Sequence, residues 1–167
     1  ALSDDRATGW LTYAELGVLA GEWADRLAGP RGLVIHYIRN DIANVAALLG
    51  AMAAGHAVVL SDPSLPAASR ARLQDCYRPA WVLEPGSEAG ATKASEGCAA
   101  KIHPDLALLL STSGSTGSPK LARFALSAIK ANADGIAEVL KITSSDVAAA
   151  HLPLHYSYGL SVLTSHL

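Results

Sequence analysis

Strand-length runs that are apolar almost throughout constrain the fold of this chain more than any other feature. They lie at residues 33–38, 57–60 and 106–110. Strands that are apolar on both faces fit a sheet covered by helices on both sides. Helical patterns separate the first runs, and strands joined by helices normally pair in parallel. The sequence therefore predicts an α/β fold with a parallel β-sheet flanked by helices.

Cap signals mark where the helices begin. Thr12 and Glu15 have the spacing of a capping box, and helical apolar spacing follows them. Asn40 and Asp41 are alternative N-caps for a second helix. Pro66 suits the first turn of a third helix, which we expect to reach about residue 77. A third short strand is predicted at 81–83.

The alternation of helices and strands is interrupted near the middle of the chain. Residues 85–104 are rich in Gly, Ala, Ser and Glu and have no apolar period, which indicates a surface loop or linker. We expect an α/β subregion at 1–84 and, at 105–167, a phosphate-loop subregion truncated at its C-terminal end. Its later elements are predicted as a return strand at 121–124, a helix at 127–140 and a strand at 147–151.

Composition excludes several classes of protein. The 167 residues are 50% hydrophobic and 17% charged, which is enough to build a core and excludes general disorder. A net charge of −2 argues against a nucleic-acid partner. Cys76 and Cys98 lack metal-ligand spacing and are interpreted as reduced thiols of a cytoplasmic protein. The histidines show no metal-ligand spacing, and no metal site is predicted.

One segment approaches the length of a membrane span. Residues 42–61 contain no Asp, Glu, Lys or Arg. The segment is mostly alanine and is interrupted by Gly50, Gly55 and His56. We interpret it as a buried helix that ends at a Gly55 cap, followed by a short strand. No membrane partner is expected.

The segment with the clearest chemistry is Ser-Thr-Ser-Gly-Ser-Thr-Gly-Ser-Pro-Lys at 111–120, directly after a buried strand. Glycines let a backbone approach an anion closely, and successive N–H groups form an anion-binding nest. Hydroxyl groups add hydrogen-bond donors, and Lys120 adds a positive charge. The spacings of the Walker A loop, the dinucleotide fingerprint and the nucleophile elbow are absent. A different kind of phosphate loop is predicted.

This segment resembles the phosphate-binding signature of the adenylate-forming (AMP-binding) superfamily, which includes acyl-CoA synthetases and the adenylation domains of peptide synthetases. Residues 11–16, 47–63 and 152–160 resemble further segments of the same family, in the same order. The resemblance covers nearly the whole chain. It implies that the chain is the N-terminal part of the large domain of such an enzyme.

The resemblance implies a ligase that uses ATP and Mg²⁺. Such an enzyme activates a carboxylic acid as an acyl-adenylate, releases pyrophosphate, and passes the acyl group to the thiol of coenzyme A or of a phosphopantetheine carrier protein. The residues that it implies for binding the ATP phosphates are Thr112, Ser113, Gly114, Ser115, Thr116, Gly117 and Lys120. It places no catalytic residue in this chain.

The resemblance also implies an acyl-pocket segment at 152–160, with an ambiguity. An ungapped match puts His155 at the family's aromatic position and Tyr156 at its histidine. Either His155 takes the histidine's place through a local shift, or Tyr156 lines the pocket. Gly159 is the third acyl-pocket candidate.

The family's later motifs have no counterpart here, and the chain reaches Leu167 on an apolar stretch. We therefore expect a fragment that is inactive alone and exposes apolar surface through which it could dimerise. One alternative is a short, non-catalytic module that binds a nucleotide or phosphate. Another is an unrelated α/β domain whose Ser/Gly loop is only a turn.

Overall fold

The computed structural model describes residues 1–4, 9–85, 90–94, 101–111 and 120–167. Helices and strands alternate through most of this part of the chain. In chain order they are α1 (Tyr13–Arg26), β1 (Leu33–Tyr37), α2 (Ile42–Ala53), β2 (Ala57–Ser61), α3 (Ala67–Tyr77), β3 (Trp81–Leu83), β4 (Ala91–Lys93), β5 (Leu106–Ser111), β6 (Leu121–Ala125), α4 (Leu126–Leu140) and α5 (Ser157–Ser165).

The strands form one six-stranded sheet in the order β4-β3-β1-β2-β5-β6. The four central strands pair in parallel, with Ile35 opposite Val59 and Val82, and Val59 opposite Leu109. The predicted α/β fold with a helix-flanked sheet is confirmed. Strands from both sides of the 85–104 segment join this sheet, and the division of the chain into subregions stays a prediction.

The two edge strands run antiparallel to their neighbours, so the sheet is mixed. β6 pairs antiparallel with β5, which confirms the predicted return strand. β4 pairs antiparallel with β3 and lies within the segment for which only a loop was predicted. Its three residues are partly or fully exposed, so the apolar pattern that reveals a buried strand is absent.

Alternate residues of the central strands pack on opposite faces of the sheet. Val34, Val58 and Leu108 share a core with α1, α2 and α5. Leu33, Ile35 and Val59 face the other way and pack with Leu73 of α3. This two-sided burial is the physical reason for the apolar runs in the sequence.

The predicted helix signals operate at the start of α1 and around α2. The Glu15 backbone N–H donates to the Thr12 hydroxyl at 3.2 Å and the Thr12 N–H donates to the Glu15 carboxylate at 2.8 Å, a complete capping box. Asp41, not Asn40, caps α2, because its carboxylate accepts the Asn44 N–H at 2.9 Å. Gly55 follows α2 with a φ of 84°, as the predicted cap requires.

The predicted strand at 147–151 is wrong. These residues form no strand and pair with none of the six strands in the described part of the chain. A strand needs a neighbouring backbone, and here the carbonyl oxygens of Ala150 and Leu152 accept hydrogen bonds from the side chain of Asn40 instead. Helix α5, which follows, was not predicted.

Within the described ranges, no helix has the length and apolar character needed to cross a bilayer.

Candidate functional site

The carboxyl ends of the parallel strands gather the chemistry-bearing residues at one edge of the sheet. The chain runs from β1 to β2 in one direction and then returns past β1 to reach β3, so the strand order reverses at the β1–β2 pair. In open α/β sheets, ligands bind outside such a switch point. Here Arg39 and Asn40 follow β1, and Asp62 follows β2. Ser111 ends β5 at the same edge.

A cleft of about 990 Å³ opens beside this edge. Its walls are formed by residues 1–4, the start of α2, the 142–155 segment and the end of α5. Asp62, Leu154 and His155 line it. The cleft is therefore built by residues that lie more than one hundred positions apart in the sequence.

Asn40 fastens the segment that leads to His155. Its side-chain amide donates to the carbonyl oxygens of Ala150 at 2.6 Å and Leu152 at 2.7 Å. Its amide oxygen accepts the Leu154 N–H at 3.1 Å. We call these three hydrogen bonds the Asn40 clamp. The clamp pairs the polar groups of an extended segment that has no strand partner.

Two packing contacts also hold the 150–155 segment in place. The Leu154 side chain is 1% exposed and belongs to the core between the sheet and α2. Gly159, in α5, lies against the backbone of Leu152 and Pro153, where an added Cβ would sit 2.6 Å from the Leu152 oxygen. The absence of a side chain at Gly159 is what permits this approach.

Burial and a neighbouring carboxylate have opposite effects on the pKa of His155. The residue is 6% exposed, and its Nε2 lies 3.9 Å from Oδ2 of Asp62. Burial lowers the pKa of His155 below its ordinary value, and the Asp62 charge opposes that shift. Asp62 is itself fixed, since Oδ1 accepts the N–H and the hydroxyl of Ser64, both at 2.7 Å. Those hydrogen bonds are the main reason why the pKa of Asp62 is lowered.

Of the two alternatives left open by the sequence, the structure places His155 at the cleft. Tyr156 is 55% exposed and does not line the cleft; its ring packs beside that of His155, with centroids 4.5 Å apart. Gly159 is buried against the backbone of Leu152 and Pro153 and does not line the cleft. The acyl-pocket role of all three residues stays a prediction.

A second buried histidine lies beneath the start of α2. His36 Nε2 is 3.0 Å from Oδ1 of Asn44, whose Nδ2 donates to Asp41 at 2.7 Å. Because the Asn44 amide group points to Asp41, its oxygen faces His36, and His36 must donate from Nε2. Its Nδ1 is buried without a hydrogen-bond partner. Burial lowers the pKa of His36 to about 4.

The predicted phosphate-binding residues are only partly visible. Thr112, Ser113, Gly114, Ser115, Thr116 and Gly117 lie outside the described residues. Lys120 is exposed and directly precedes β6, whose first residue, Leu121, pairs with Ser111. The chain thus leaves and re-enters the sheet at the carboxyl edge. No group of three or more His, Cys, Asp or Glu in the described ranges is placed to hold a metal ion.

Sequence reasoning missed the roles of Asn40 and Asp62. The sequence predicted Asn40 only as a possible helix cap and gave no site role to Asp62. The one signal available was their position directly after two predicted parallel strands, since such ends converge at one edge. The partners of Asn40 could not be inferred, because they lie 110 to 114 residues away.

Comparison with known sequences places the chain beside peptide synthetases. No protein-family model matches it. It is 33% identical over 134 residues to the isonitrile lipopeptide synthase of Streptomyces coeruleorubidus, a match that covers 66% of this chain and 9% of that protein. It is 32% identical over 120 residues to the nonribosomal peptide synthetase lenA of Aspergillus lentulus, covering 66% of this chain and 3% of lenA. The chain thus spans a small part of these relatives.

Solved structures of adenylate-forming enzymes share the fold. ATP-bound MatB from Rhodopseudomonas palustris superposes with a TM-score of 0.75 at 20% identity, covering 93% of this chain and 38% of MatB. O-succinylbenzoate coenzyme A synthetase from Bacillus subtilis, in complex with AMP, gives 0.74 at 20% identity, covering 95% and 48%. IdnL1 gives 0.79 at 17% identity, covering 98% and 38%. The chain therefore has the fold of adenylate-forming enzymes and is similar in sequence to peptide synthetases, which confirms its resemblance to the adenylate-forming superfamily.

Proposed function

We propose that this chain forms part of an ATP-dependent ligase that activates a carboxylic acid as an acyl-adenylate. One observation carries the proposal: the ends of the predicted phosphate loop, Ser111 and Lys120, emerge at the same sheet edge as His155. An enzyme that joins a nucleotide to an acid needs both groups at one place. The ATP-bound and AMP-bound states of two structural neighbours support a nucleotide at this fold.

In this reaction a carboxylate oxygen bonds to the α-phosphorus of ATP while the bond to pyrophosphate breaks. The 111–120 segment would hold the leaving phosphates through backbone N–H groups, hydroxyls and Lys120. His155 would border the carboxylate side of the site. Magnesium is expected as the counter-ion of the nucleotide phosphates, and the described residues supply no metal cluster of their own.

The acyl group would then pass to a thiol, either that of coenzyme A or that of a phosphopantetheine carrier protein. Both acceptors remain open for this chain. A coenzyme A synthetase is among its structural neighbours, and peptide synthetases are among its sequence relatives.

The phosphate role is tested by replacing Lys120 with alanine and measuring ATP binding by titration calorimetry. Losing one charge-assisted contact to a phosphate costs about 1.5–3 kcal/mol, so we expect affinity to fall about tenfold or more. Lys130→Ala, which removes an exposed lysine from α4, is the charge-matched control and should bind as the parent chain does. Equal affinity in both variants would favour a loop that is only a turn.

Catalysis is tested separately by carboxylate-dependent exchange of labelled pyrophosphate into ATP. We expect the 167-residue chain to show no useful turnover, because it spans only 38–48% of the solved neighbours described above. The longer polypeptide that contains it should exchange. ATP binding without exchange in that longer polypeptide would support the non-catalytic module instead.

A further inference from the structure

We propose that Asn40 is a positioning residue for His155, holding it beside Asp62 at the cleft through the Asn40 clamp. The role rests on the proposed function, in which His155 borders the carboxylate side of the site. The clamp joins Asn40, which lies between β1 and α2, to the segment that precedes α5. Because Leu154 directly precedes His155, the clamp fixes the backbone from which the His155 side chain extends.

The clamp uses the full geometry of an asparagine amide. The Nδ2 group donates to two carbonyl oxygens, and Oδ1 accepts one N–H. An aspartate has the same shape but would place an oxygen against the two carbonyls. A glutamine would move the amide by one methylene. The position therefore distinguishes asparagine from its nearest chemical relatives.

Asp62 supplies the carboxylate beside which His155 is held. It follows β2 and is locked by Ser64, so it cannot follow His155 if the 150–154 segment moves. The influence of Asp62 on His155 then depends on the clamp. His155 Nδ1 is buried without a hydrogen-bond partner, so the ring has no second contact of this kind to hold it in place.

Other charged groups share the cleft and define the background for any titration of His155. They are Asp4, Arg39, Asp41, Asp146, His151 and His166. Among the causes that act on the pKa of His155, burial is the largest and Asp62 is the charge that opposes it. The dependence on Asp62 is thus a specific signature of the position of His155.

The test is a double-mutant cycle on this chain, followed by NMR titration of the His155 imidazole. Asp62→Asn alone should lower the pKa of His155, because the stabilising carboxylate is lost. Asn40→Ala alone should raise it towards its ordinary value, because burial is lost. In the Asn40→Ala background the effect of Asp62→Asn should disappear. An equal effect of Asp62→Asn in both backgrounds would overturn the proposal.

Amide hydrogen exchange at Leu154 gives an independent readout. Loss of the hydrogen bond from the Leu154 N–H to Asn40 predicts exchange about tenfold faster in Asn40→Ala. Asn132→Ala is the matched control, since Asn132 also joins α5, accepting the Ser161 hydroxyl at 3.1 Å, and it should change neither readout. Unchanged exchange at Leu154 in Asn40→Ala would overturn the proposal.

If Asn40→Ala does not fold, the uncharged Asn40→Gln, which moves the amide by one methylene, takes its place in the cycle, with the same expected signs. Neither measurement involves a nucleotide, whereas the Lys120 experiment does. A chain that fails to bind ATP but retains the Asn40–Asp62 coupling would refute the proposed function alone. Normal ATP binding without the coupling would refute the positioning role alone.

Discussion

Protonation of His36 should make this protein acid-sensitive well above the range in which carboxylates titrate. His36 is 1% exposed, its Nε2 is committed to Asn44, and its Nδ1 has no partner. A second proton would place an unpaired charge in the core. The pKa of about 4 in the folded state compares with an ordinary value of 6.5.

The sign and size follow from this difference. The folded pKa is the lower one, so the unfolded chain binds the proton first as pH falls below about 6.5. The stability is fully present above that pH and is lost progressively down to about pH 4. At about 1.4 kcal/mol per pKa unit, the fall from 6.5 to about 4 corresponds to about 3.5 kcal/mol, of which about 3 kcal/mol is lost by pH 4.5.

Urea unfolding followed by tryptophan fluorescence, from pH 7.5 to 4.5, measures this loss. His36→Gln keeps an N–H donor for Asn44 and does not titrate, so its free energy of unfolding should vary with pH by about 3 kcal/mol less than that of the parent chain. His151→Gln, which removes an exposed histidine from the cleft, should keep the parent profile. Parallel profiles for His36→Gln and the parent chain would refute the burial argument.

Two further changes test the packing around α4 and α5. Gly159→Ala should destabilise the chain by about 1–2 kcal/mol in thermal unfolding, because its Cβ meets the Leu152 and Pro153 backbone and the overpacking outweighs the helix propensity of alanine. Gly135→Ala in α4, where an added Cβ has no neighbour within 4 Å, should stabilise it by about 0.5–1 kcal/mol; destabilisation by both would show that helix context, not contact, decides. Val139 and Leu140 are 79% and 67% exposed, and replacing both with lysine should shift a self-associating chain towards monomer in analytical ultracentrifugation. A monomeric parent chain at high concentration would contradict that expectation.

Local features of the fold could be predicted because their causes are local. The Thr12–Glu15 box and the Gly55 cap each depend on residues within a few positions, and both are present. The buried strands were visible because burial on both faces leaves an apolar run. The strand at 147–151 failed for the opposite reason: β structure requires a partner backbone, which the sequence does not specify.

In the candidate site, too, features set by neighbouring residues could be predicted, and contacts between distant residues could not. The sequence by itself determined the α/β alternation, the Thr12–Glu15 capping box and the Gly55 cap, since each follows from neighbouring residues. The phosphate-binding role of the 111–120 segment stays a prediction. Only the tertiary structure decided that His155 and not Tyr156 lines the cleft, that Asp62 lines it too, and that Asn40 hydrogen-bonds the backbone of residues 150, 152 and 154. Those contacts join residues about 90 to 115 positions apart. Their geometry is set by where the carboxyl ends of β1 and β2 come together, and the order of strands in the sheet fixes that place.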